Sequence, residues 1–210
     1  MNIVSPGRLT FEAALALQER LVGQVQSGEA DETLILLEHE PVYTIGRTRD
    51  RSSLRDALPH AVFETNRGGQ ATYHGPGQLT GYPILDLNTR GRDLHLYLRF
   101  LEEYLIRFSA GFGVTAQRRE GLTGVWVGER KLASLGVGVR KWGSMHGFAI
   151  NILAISTAAF SNITPCGLAG VEMTSLERES GEEIDFEAAL QAAARLFEEM
   201  LPQLGETHAD

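Results

Sequence analysis

The chain reads as one mixed α/β domain, and three observations predict it. Helical apolar stripes recur in three places and are separated by short apolar runs of strand length. The 210 residues suit a single core and would cramp two. No internal repeat, low-complexity block or linker divides them.

Thr10 is a plausible N-cap, and Phe11, Ala14, Leu15, Leu21, Val22 and Val25 follow at helical spacing up to the break at Ser27-Gly28. Residues 33–38 form a strand-length apolar run, and 41–46 a bend followed by an extended piece. Residues 47–59, with Arg47, Arg49, Arg51 and Arg55, read as a surface loop. Strands at 61–65 and 79–87 flank a glycine-rich stretch. Asp93 caps a second helix whose buried stripe is Leu94, Tyr97, Leu98, Leu101, Tyr104, Leu105 and Phe108, with Gly111 as its stop. Residues 124–139 predict a β-hairpin turning near Gly128-Glu129-Arg130, and 145–152 one more strand. Residues 172–183 read as polar connection. Asp185 caps a last helix with Phe186, Ala189, Leu190, Ala193, Leu196, Phe197 and Met200 inward, and the tail after Pro202 is expected to fray.

Composition narrows the function classes. No apolar run approaches the roughly 18 residues of a membrane span, and the first eight residues lack the basic-then-apolar order of a secretory signal, so a cytoplasmic protein is expected. A net charge of −8 argues against bulk nucleic-acid binding. The single cysteine, Cys166, rules out an internal disulfide framework and any multi-cysteine metal site. Among 19 basic side chains only Lys131 and Lys141 are lysines, and a lysine can release its proton where a guanidinium does not.

The chemistry-bearing stretch is Arg67-Gly-Gly-Gln-Ala-Thr-Tyr-His-Gly-Pro-Gly-Gln-Leu-Thr-Gly81, read as unable to bury a core and as either a ligand cradle or a long ordered hairpin loop. It contains no Walker loop, no Gly-x-Gly-x-x-Gly opens a helix, and the histidines (39, 60, 74, 95, 146, 208) lack metal-ligand spacing, so no metal is expected. Strand alternation places Lys131 with Ala133, Leu135, Val137 and Val139, and Ser134 on the opposite face. On a buried face the amine is desolvated, while near the turn it snorkels into water. Cys166 lies in an irregular Pro-Cys-Gly turn that holds a thiol in one place. A thiol nucleophile needs a proton acceptor and oxyanion donors, with Lys131, His74 and His146 as candidate acceptors and glycine-segment N–H groups as donors.

Four blocks, Arg67–Pro83, Arg130-Lys-Leu-Ala-Ser-Leu-Gly136, His146-Gly-Phe-Ala-Ile-Asn151 and Pro165-Cys-Gly167, together resemble the signatures of the lipoyl(octanoyl) transferases over roughly residues 34–176. The resemblance implies a single catalytic domain over 1–210, with a mixed sheet flanked by helices like that of biotin and lipoate ligases. It implies transfer of octanoyl from acyl carrier protein, through a Cys166 thioester, to a lysine of lipoyl domains in 2-oxoacid dehydrogenase complexes and the glycine-cleavage carrier protein. Lys131 is then the partner of Cys166. By the same match Arg67, Gly68, Gly69, Gln70, Ala71, Thr72, Tyr73, His74, Ser134, Leu135, Gly136, Gly147, Phe148 and Ala149 line the acyl site. No cofactor, nucleic acid or membrane is implied, and a monomer is expected. A basic rim of Arg47, Arg49, Arg51, Arg118, Arg119, Arg140 and Lys141 is expected to guide acidic partners. The competing readings are an ATP-dependent lipoate ligase or octanoyl amidotransferase on the same fold, and a binding module for acyl-carrier or lipoyl domains with a structural Cys166.

Overall fold

The structure, a computed structural model, describes residues 1–164 and 170–205. Its strands are β1 (Asn2–Val4), β2 (Arg8–Leu9), β3 (Thr33–His39), β4 (Val42–Ile45), β5 (Val62–Glu64), β6 (Thr72–His74), β7 (Gln78–Ile84), β8 (Gln117–Arg119), β9 (Leu122–Val127), β10 (Arg130–Arg140) and β11 (Gly143–Asn151). Eight make one mixed sheet in the order β1-β3-β7-β11-β10-β9-β8, with β2 also paired to β3; β5-β4-β6 make a second, smaller sheet. No helix among the described residues is long and apolar enough to cross a membrane.

Strand β3 explains the layering. Leu34 and Leu36 point into one core cluster and Ile35 and Leu37 into another, so the sheet needs cover on both faces. Helix α1 (Phe11–Ser27) covers one face through Ala14, Leu21, Val22 and Val25. Helices α2 (Leu94–Ala110) and α4 (Phe186–Met200) cover the other, where Tyr104 meets Phe148 and Phe197 at ring distances of 5.3 and 5.1 Å. All three predicted caps are present: Thr10, Asp93 and Asp185 accept from backbone N–H groups of their first turns.

Residues 2–9, left unassigned from the sequence, form two strands. Three expectations change. Residues 172–183 include the short helix α3 (Leu176–Ser180), capped by Ser175 and seated by a buried Leu176. The chain after Pro202 does not fray before residue 205: Leu204 is buried and its carbonyl, with that of Leu201, accepts from Arg90. The glycine-rich stretch does bury core, because its glycines sit at turns and crossings while Ala71, Tyr73 of β6 and Leu79 of β7 point inward.

One glycine fixes how the large sheet packs. A Cβ on Gly81 would lie 2.1 Å from Phe148 Cζ, so the ring of the opposed β11 residue occupies that space. Gly81→Ala is expected to destabilise the protein by about 1–3 kcal/mol through overpacking, read by urea denaturation.

Candidate active site

Beyond Ala133, β9 no longer pairs with β10; its last partners are Val127, Trp126 and Val125 opposite Arg130, Lys131 and Ala133. The β10 edge at Leu135–Val137 is thereby left open. The glycine-rich segment takes it up, Gly68 N donating to Val137 O at 2.9 Å. This approach requires glycine: a Cβ on Gly136 would stand 3.0 Å from Gly68 O, and one on Gly46 would stand 1.9 Å from Gly69 O. Arg67 holds the crossing, its guanidinium donating to Thr44 O and Oγ1 at 2.8 Å and to Gly68 O at 2.9 Å.

Two cavities result. The first, of about 490 Å³ and partly open to solvent, lies between the sheet and the glycine-rich segment. Its roof includes Arg67, Gly69, Gln70, Ala71, Thr72 and His74, and its floor Ser134, Leu135 and Gly136 of β10 with Gly147, Phe148 and Ala149 of β11. Of the fourteen residues expected to line an acyl site, only Gly68 and Tyr73 are missing from this wall. Gly68 lines the second cavity. Tyr73 faces away, because alternation along β6 turns it toward Tyr43 and Phe160. The wall also contains Phe11, Tyr82 and His146, which the motif match does not assign. A signal for Phe11 lies in its place as first residue of α1, but only the tertiary fold brings it here.

The second cavity, of about 960 Å³ and also open to solvent, occupies the cleft where β9 splays from β10. It is lined by Lys131, Thr123 and Leu98 among others, and shares Gly69, Gln70, Leu135 and Gly136 with the first. Lys131 is 1% exposed, so the snorkelling alternative does not hold. A bulge between Lys131 and Ala133 also breaks the simple alternation expected along β10. Lys131 Nζ donates to Thr123 O at 3.0 Å and lies 5.2 Å from the Trp126 ring centroid. Its side chain passes over Gly124 (φ 127°), where a Cβ would come within 2.7 Å of Lys131 Cε. Gly124 is held in turn by Glu102, which accepts from Gly124 N at 3.1 Å and from Arg99 and Arg118.

Cys166 lies outside the described residues, as do its neighbours Pro165 and Gly167. The chain on both sides is anchored. Thr164 N donates to Ser53 O at 2.8 Å, and Ser53 Oγ reaches Gln70 of the first cavity at 3.3 Å. Lys131 N donates to Glu172 O and Thr174 N to Lys131 O, at 2.8 and 2.9 Å.

The histidines near the first cavity are neutral. Burial brings His39 and His146 down to about 4, and burial together with His39 and Arg67 keeps His74 well below its usual range. His39 Nδ1 donates to Leu9 O, so Nε2 accepts from Tyr82 OH at 2.6 Å. The expected basic rim is largely neutralised: Arg49 and Arg51 face Glu64, Arg118 pairs with Glu102 and Glu103, and Arg119 lies over Trp126. Arg140 and Lys141 stand at the opposite end of β10 from Lys131, their carbonyls accepting from Gln26.

A family model described as "Lipoyl protein ligase A/B catalytic domain" matches residues 10–198, a wider span than the motif blocks alone. A relative from Geobacter sulfurreducens, named octanoyltransferase, is 54% identical over 197 residues, covering 94% of this chain and 83% of that protein. Another of that name from Geobacter metallireducens is 50% identical over 203 residues, covering 97% and 94%. Among solved structures, lipoate-protein ligase A bound with ATP superposes with a TM-score of 0.77 at 14% identity, over 96% of this chain and 85% of that one. Biotin protein ligase from Aquifex aeolicus does so with a TM-score of 0.55 at 15% identity, over 99% and 72%. The mixed-sheet fold expected from the resemblance is therefore the one observed.

Two outcomes follow from this geometry. Gly124→Ala is expected to displace the Lys131 side chain and cost about 1–3 kcal/mol of stability, measured by thermal denaturation. The unfolded chain binds protons at His39 and His146 below their ordinary value of 6.5, the folded chain only below about 4, so stability falls as pH drops through that window. Each imidazole accounts for a loss on the order of 3 kcal/mol. Urea titrations between pH 4 and 7 measure the slope, which His39→Gln is expected to flatten.

Proposed function

Because this chain belongs to the lipoyl protein ligase A/B catalytic-domain family, we propose that it is an octanoyltransferase of lipoate biosynthesis with Cys166 as nucleophile and Lys131 as its proton acceptor. The observation that carries the reading is the pair of adjoining cavities: motif blocks far apart in sequence surround one glycine-lined groove that abuts the buried amine of Lys131. The names of relatives about half identical to this chain support the same activity.

In this reading Lys131 takes the Cys166 proton, and the thiolate attacks the carbonyl of octanoyl-acyl carrier protein. N–H groups of the glycine-rich segment hold the oxyanion. The C–S bond to the carrier breaks, the carrier thiolate regains a proton from Lys131, and octanoyl rests on Cys166 as a thioester. The target lysine of a lipoyl domain then attacks as a neutral amine, the new amide sheds its proton to Lys131, and the Cys166 thiolate leaves. The first exchange is nearly neutral in energy and the second downhill, so neither ATP nor another cofactor enters. The acyl chain lies in the first cavity, on Ser134 to Gly136 and Gly147 to Ala149 beneath Arg67 to His74. The acceptors are the lipoyl domains of 2-oxoacid dehydrogenase complexes and the glycine-cleavage carrier protein. The reading takes with it a cytoplasmic monomer with one catalytic domain.

Incubation with octanoyl-acyl carrier protein is expected to add one octanoyl mass at Cys166, seen by intact and peptide mass spectrometry. Cys166→Ser should abolish transfer. Lys131→Arg should lose most of it, about 100-fold or more, because a guanidinium keeps the charge but does not accept the proton. Near-native activity of Lys131→Arg would leave Lys131 an electrostatic or structural element only, and adenylation of free octanoate from ATP would replace the transferase reading with a ligase.

A further inference from the structure

One peptide unit connects two ionisable side chains buried beside β9. The carbonyl of Thr123 accepts from Lys131 Nζ at 3.0 Å, and the N–H of Gly124, the other half of the same peptide, donates to Glu102 Oε1 at 3.1 Å. In a trans peptide these two groups point in opposite directions, so carboxylate and amine grip one plane from its two sides. Glu102 and Lys131 are only 2% and 1% exposed, which leaves water little part in orienting either.

The sheet does not orient that plane. Neither Thr123 nor Gly124 has a register partner in β10 or in β8. Gly124 takes a φ of 127°, and a half-turn of the peptide would carry it to an ordinary negative value with the carbonyl turned away from Lys131. The observed orientation is therefore one that glycine adopts readily and other residues do not, and the bond from Gly124 N to a buried carboxylate holds it. Glu102 is itself held. Its other oxygen accepts from Arg99 at 2.6 Å and from Arg118 at 3.2 Å. At the far side of the plane, a neutral amine with one N–H directed at Thr123 O turns its lone pair away from that carbonyl.

We propose that Glu102 is the positioning residue of Lys131: through the peptide of Thr123 and Gly124 it fixes where the amine stands and which way its lone pair faces. This rests on the reading of Lys131 as proton acceptor for Cys166 and deepens it. Glu102 acts only through the peptide. Once its bond to Gly124 is removed, the peptide turns over, Thr123 O leaves Nζ, and the amine that takes the thiol proton is no longer held in place.

The test uses the two lysines of the chain, Lys131 and Lys141, which give two side-chain NMR signals when labelled lysine is supplied. Lys131 is marked by the ring current of Trp126, whose centroid lies 5.2 Å from Nζ. Glu102→Met keeps the length of the side chain and removes the acceptor, whereas Arg99→Met removes one ion pair of the same carboxylate and leaves the acceptor on Gly124. In Glu102→Met the Lys131 signal is expected to move toward that of Lys141, and kcat for octanoyl transfer to fall about tenfold or more with KM for octanoyl-acyl carrier protein unchanged. Arg99→Met is expected to keep the wild-type signal and kcat. An unmoved signal or an unchanged kcat in Glu102→Met overturns the inference, and so does an equal change in both variants, which would make Glu102 an ion-pair partner only. A wild type that transfers no octanoyl overturns the transferase reading, which the NMR signals distinguish from failure of the contact itself. Glu102→Asp, which keeps the charge for both arginines but withdraws the oxygen from Gly124, decides the matter by the same signal should Glu102→Met not fold.

Discussion

Everything at the candidate site depends on the glycine-rich segment lying backbone to backbone against the open edge of β10. The contact is small: one hydrogen bond from Gly68 N to Val137 O and the carbonyl of Gly68 beside Gly136, with the carbonyl of Gly69 set against Gly46, just past β4, on the other side. Arg67 makes it rigid by spending its guanidinium on Thr44 and on the carbonyl of Gly68. Such bonds to fixed main-chain oxygens hold the crossing in one geometry, where a flexible loop would lose it to chain entropy. Without that crossing the roof of the first cavity and the lip of the second have no common support.

The second consequence concerns Lys131. Burying an ammonium-bearing side chain is costly unless its polar end finds partners. Here the divergence of β9 supplies them: Thr123 O reaches Nζ because its strand has left β10, and the Trp126 face lies under the same nitrogen. Glu102 is the counterpart on the outer side. Its nearly buried carboxylate binds Gly124 N and two arginines, so the splayed strand, still paired to β8 on its other edge, is also fixed by a charge-assisted contact to α2. The main chain of Lys131 is pinned as well, between Glu172 O and Thr174 N. Side chain and backbone are thus positioned by different elements.

Much of this was legible in the sequence where the signal was local. Caps at Thr10, Asp93 and Asp185 and the apolar stripes of α1, α2 and α4 follow from side-chain chemistry within one or two turns. The hairpin of β9 and β10 was legible from Gly128 at its turn. The next turn was not, since Lys141 and Trp142 take positive φ values of 49° and 68° that favour neither residue type. The burial of Gln18 and Glu102 escaped for another reason. Gln18 Oε1 accepts from His146 N and Glu102 from Gly124 N, both distant in sequence, and no local pattern announces such a partner. Twelve of the fourteen motif residues share one cavity wall, while Phe11, Tyr82 and His146 reach it because α1, β7 and β11 meet at its far side. The position of Tyr73 shows the converse: a residue inside a motif turned away by strand alternation.

The electrostatics of the first cavity complete the picture. Its wall contains one permanent charge, Arg67, whose donors are directed at Thr44 and Gly68, and two histidines that burial keeps uncharged at neutral pH. A second cation there would be expelled by Arg67, which is one reason both imidazoles are depressed. An interior of this kind is poorly suited to a polyphosphate, which needs presented N–H groups and uncommitted cations. It is well suited to an uncharged chain that gains by leaving water and asks only for close backbone contact. The buried amine of Lys131 stands in the adjoining cleft. A largely apolar wall and a buried amine thus adjoin across four shared residues without either environment imposing on the other.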